Sequence, residues 1–76
     1  MKLLEAGAAL APLIETMDLP INKKRIRSLE DIRWLCRNMG AYNSEHEHYT
    51  EARLILVSCA REQLKNSELR QLGVLS

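Results

Sequence analysis

The stretch Arg53-Leu-Ile-Leu-Val-Ser-Cys-Ala60 limits what this chain can fold into more than any other. Residues 54–57 are four apolar side chains in a row, and strong helix formers flank them: Glu51 and Ala52 before, Ala60, Arg61, Glu62, Gln63 and Leu64 after. A buried strand over 54–59 is the competing reading. Thr, Ile and Val together supply only nine residues of the chain, so strand-forming material is scarce and the helix is preferred. Successive side chains on a helix step round by about 100°, so four apolar ones in sequence point in every direction. A helix apolar on all faces must be covered on all faces.

The remaining punctuation divides the chain. Asp18-Leu19-Pro20 and Gly40-Ala41-Tyr42-Asn43-Ser44 are breaks, and Gly73 is a weaker one. The expected fold class is all-α: a three-helix bundle-like domain over residues 1–76, with helices at about 2–17, 28–39 and 45–66 and a short tail at 67–76. In the first helix, Leu3, Gly7, Leu10, Ile14 and Met17 form one stripe, and Pro12 falls opposite it, where a bend is tolerated. Ser28 with Asp31 reads as a capping-box variant that starts the second helix, and Gly40 as the residue after its end. Ser44 with Glu47 reads as the capping box of the third.

At 76 residues a single core is marginal, and association is a common remedy. Two short partners packed at about 8–10 Å leave part of the third helix bare. The expectation is therefore a homodimer through that helix, with Leu54, Leu56, Val57 and Leu64 at the interface. The alternative is a monomer whose tail folds back over the exposed side.

Charge is balanced overall at +1 but not locally. Residues 23–39 carry six positive and two negative charges, and the rest of the chain sums to −3. Lys23, Lys24, Arg25, Arg27, Arg33 and Arg37, with Trp34 among them, are the expected partner-binding residues, since an aromatic flanked by Arg has hot-spot composition. The competing reading of Trp34 places it in the core. A helix-turn-helix is disfavoured, because Glu45-His46-Glu47-His48 would aim carboxylates at phosphates.

No catalytic residue, metal or cofactor is expected. His46 and His48 would point about 200° apart on a helix, and zinc pairs need i, i+3 or i, i+4 spacing. Cys36 and Cys59 read as reduced core thiols of a cytoplasmic protein. The first eleven residues superficially resemble a signal peptide, but Glu5 interrupts the apolar run. Residues 6–14 are the longest uncharged stretch, about half the roughly 20 residues of a bilayer span, so no membrane role is expected.

These features imply a small non-enzymatic regulatory or adaptor protein acting through protein–protein contacts, with an unidentified protein partner. Two alternatives stand beside it: a nucleic-acid-binding accessory protein using the basic stretch 23–37, and a structural subunit of a larger assembly. Compact helical accessory proteins of phages and plasmids share this size and charge balance.

Overall fold

Local sequence signals and long-range packing divide the work of placing the helices. The computed structural model describes residues 2–17, 19 and 26–75, without the side chains of Tyr42 and Asn43. Four helices follow in order: α1 (Leu3–Ile14), α2 (Leu29–Asn43), α3 (Tyr49–Gln63) and α4 (Asn66–Gln71). The described residues contain no strand.

α1 ends at Ile14, three residues earlier than its apolar stripe suggests. The Thr16 hydroxyl donates to the Leu13 carbonyl at 3.2 Å, and the Met17 N–H to that of Ile14 at 3.1 Å. These bonds occupy carbonyls that a helix end leaves free. Met17 still reaches the core, 4% exposed. Pro12 stays within the helix and faces solvent, as its position opposite the stripe requires.

α2 starts where Ser28 and Asp31 place it. The two form a capping box, and the Asp31 carboxylate accepts the Ser28 N–H at 3.2 Å and the Arg27 N–H at 2.9 Å. The end of α2 corrects the reading of Gly40 as a helix stop, since the helix runs through it to Asn43. A Cβ on Gly40 would lie 3.0 Å from the Tyr49 hydroxyl oxygen. This glycine makes room for a neighbouring helix.

Ser44 consequently caps the C-terminus of α2, and the expected Ser44–Glu47 box at the head of α3 is not made. α3 opens at Tyr49 instead, with His48 as its N-cap. It also stops short, at Leu64, whose extended backbone (φ −112°, ψ 157°) turns the chain. Part of the expected tail then forms α4. Its end is a Schellman motif: the Val74 N–H donates to the Leu69 carbonyl at 2.8 Å and the Gly73 N–H to the Arg70 carbonyl at 3.1 Å. Gly73, at φ 79°, is the one described residue with positive φ.

α3 is the hub, packed against α1, α2 and α4. Ala6, Leu10 and Ile14 of α1, and Ile32, Leu35 and Met39 of α2, close on Ala52, Leu56, Cys59 and Ala60 of α3, with Leu69 of α4 completing the core. This corrects the picture of a helix needing cover around its whole circumference. Leu56 is 2% exposed, Ile55 and Val57 are half-buried, and Leu54 stands 66% exposed. Thr50, Glu51, Ser58 and Arg61 share the wet flank with Leu54, so most of that flank is polar.

Candidate interaction surfaces

Among the described residues, the cations of the basic stretch divide into exposed and engaged ones. Lys23, Lys24 and Arg25 lie outside the described residues. Arg27 is exposed ahead of α2, and Arg37 is exposed near the other end of that helix. Arg33 is engaged within the chain. Its Nε donates to Glu68 Oε2 at 2.5 Å, a second guanidinium nitrogen lies 3.3 Å from Oε1, and the third reaches Glu30 at 3.4 Å. The two-pronged bond ties α2 to α4. It also holds the Glu68 carboxyl below the usual carboxylate range. Trp34 is half-buried and packs on the core, with its carbonyl accepting the Asn38 amide at 2.8 Å.

The residues expected at a dimer interface also separate. Leu56 and Leu64, at 2% and 8% exposure, belong to the chain's own core and have no area to offer a partner. Leu54 and Val57 retain accessible surface. A second apolar surface lies on α1, where Leu4, Ala8 and Pro12 are exposed at four-residue spacing and Leu4 stands at 86%. The sequence carries its signal: one charge, Glu5, among the twelve residues of α1. Beside it, an open-sided groove of about 530 Å³ is lined by Lys2, Leu3, Leu4, Glu5, Glu62 and Gln63. The register of that groove sets the start of α1 against the end of α3.

The thiols behave as core groups. Burial pushes Cys36 up to about 11, against the pull of Arg53 and Arg37, and burial raises Cys59 as well. Neither supplies an activated thiolate. The two histidines sit in the turn between α2 and α3, not on a helix as the sequence reading placed them. Their rings are 5.6 Å apart, and the His48 N–H donates to His46 Nδ1 at 3.1 Å, which occupies that lone pair. Among the described residues, no three His, Cys, Asp or Glu side chains are grouped to hold a metal ion. Nor is any described helix long and apolar enough to cross a membrane.

Two cations that the linear reading passed over, Arg53 and Lys65, stand exposed on α3 and at the start of α4. Arg53 acts together with Arg37 on the Cys36 thiol, and Lys65 together with Arg37 on the Glu68 carboxylate. Comparison with protein-family models, curated proteins and solved structures finds no match.

Proposed function

We propose that this is a small non-enzymatic regulatory or adaptor protein that acts through protein–protein contacts, self-association included. The observation that carries this reading is the exposure of Leu4 and Leu54, at 86% and 66%, on helices whose other large apolar side chains are buried or half-buried. A standard interface takes about 800 Å² from each partner, far more than two leucines supply. Self-association through them is therefore weak and concentration-dependent.

Sedimentation equilibrium tests this on the wild type and a Leu4→Lys, Leu54→Lys double variant. The wild type should associate as its concentration approaches about 1 mM, the affinity range of weak contacts. The double variant should remain monomeric with an unchanged unfolding midpoint. A wild type monomeric throughout that range contradicts the reading.

A further inference from the structure

Three helices bring their free cations to one face. The Arg33–Glu68 bond fixes the frame, with Nε and Oε2 2.5 Å apart. Arg37 lies one turn further along α2 from Arg33, and Lys65 lies three residues before Glu68, at the N-cap of α4. The α2–α3 register places the third cation. Gly40 backs onto Tyr49, with 3.0 Å between a built Cβ and the hydroxyl oxygen. One turn back along α2 and one turn on along α3 bring Arg37 level with Arg53, because the helices run antiparallel. The electrostatics agree with this placement. Arg37 and Arg53 both act on the Cys36 thiol, and Arg37 and Lys65 both act on the Glu68 carboxylate.

Arg37, Arg53 and Lys65 are exposed, and among the described residues none of them makes an ion pair. Glu68 is the acid in their midst, and Arg33 already neutralises it. The geometry points to a docking site for a carboxylate-rich protein segment, held by Arg37, Arg53 and Lys65 on the frame that Arg33 and Glu68 lock. Arginine pairs with carboxylates through two parallel bonds, and half-buried Trp34, one turn before Arg37, offers an apolar neighbour. A nucleic acid fits less well. Phosphate-backbone affinity grows with the number of phosphates neutralised, and this face offers three cations among the described residues, in a chain of net charge +1. The inference does not depend on self-association through Leu4 and Leu54, which use no residue of this face.

The test is an NMR titration of the isotope-labelled full chain with a hexaglutamate peptide, and separately with a short DNA duplex, at about 50 mM salt where charge contacts are least screened. The peptide should shift amides around residues 33–37, 53 and 65–68. An Arg37→Gln, Arg53→Gln, Lys65→Gln variant should bind about tenfold or more weakly. A matched variant, Lys2→Gln, Arg27→Gln, Arg61→Gln, removes equal charge at the start of α1, ahead of α2 and two turns along α3. Its affinity should stay within about twofold of wild type. All six positions are exposed, and circular dichroism should show both variants folded. Three results overturn the assignment: no peptide binding at low salt, equal losses in the two variants, or tighter binding of the duplex than of the peptide.

Discussion

Replacing Gly7 with Ala sets two effects of known size against each other. Inside a helix, Ala is favoured over Gly by about 1 kcal/mol, so propensity alone predicts stabilisation. Packing opposes it. A Cβ on Gly7 would lie 3.0 Å from the Ile26 carbonyl oxygen and 3.7 Å from its Cβ. The first contact is too close, and the atom it meets is backbone. Ile26 cannot easily retreat, because its side chain is itself part of the core, 8% exposed. Forcing a methyl into a well-packed site costs about 1–3 kcal/mol. Taking the middle of that range, Gly7→Ala should destabilise by about 1 kcal/mol net. For a domain of this size that lowers the thermal midpoint by roughly 4–8 °C. Urea unfolding followed by circular dichroism measures it, with an unchanged m-value showing that stability alone has moved. A Gly7→Ala variant about 1 kcal/mol more stable than wild type would mean the site is open, and would refute the packing of α1 on the segment leading into α2.

Further outcomes follow from the same contacts. Gly40→Ala faces the same 3.0 Å spacing but against the Tyr49 hydroxyl, the far end of a side chain that can swing aside, so it should be neutral or stabilising by up to about 1 kcal/mol. Leu56→Lys should abolish the cooperative thermal transition, because it buries an unpaired charge in the core, whereas Leu54→Lys should fold normally. With the Cys36 thiol pushed up to about 11, roughly one molecule in a thousand is ionised there at pH 8, so native alkylation should be slow and accelerate on unfolding. Arg33 holds the native Glu68 carboxyl below its ordinary 4.5. The unfolded chain therefore takes up a proton first on acidification, and the associated stability, present above about pH 4.5, is lost as pH falls below it. Glu68→Gln should flatten that part of the stability–pH curve.

What the sequence disclosed was mostly local. Ser28 and Asp31 start α2 as expected, because a capping box needs only residues three apart. Gly40 misled because a glycine near a helix end reads as a stop, while its actual neighbour, Tyr49, belongs to another helix. Ser44 and Glu47 misled for a related reason: Ser44 is still in the helical region as α2 closes (φ −60°, ψ −25°), so it ends that helix instead of starting α3. The run at 54–57 identified the hub helix correctly. It overstated the cover required, since one leucine among polar neighbours can face water. Of the three cations proposed to form one face, the sequence pointed to Arg37 but not to Arg53 or Lys65. Arg37, Arg53 and Lys65 are far apart along the chain, and only packing unites them.

The helices of this chain close one core around α3, so that any partner is met at the surface. The thermal midpoint at low and high micromolar protein, below the range of weak surface association, tests this most directly. The midpoint should be the same at both concentrations, as for a self-sufficient monomer. A midpoint that climbs by several degrees with concentration would show folding coupled to assembly, with α3 completed by a second chain.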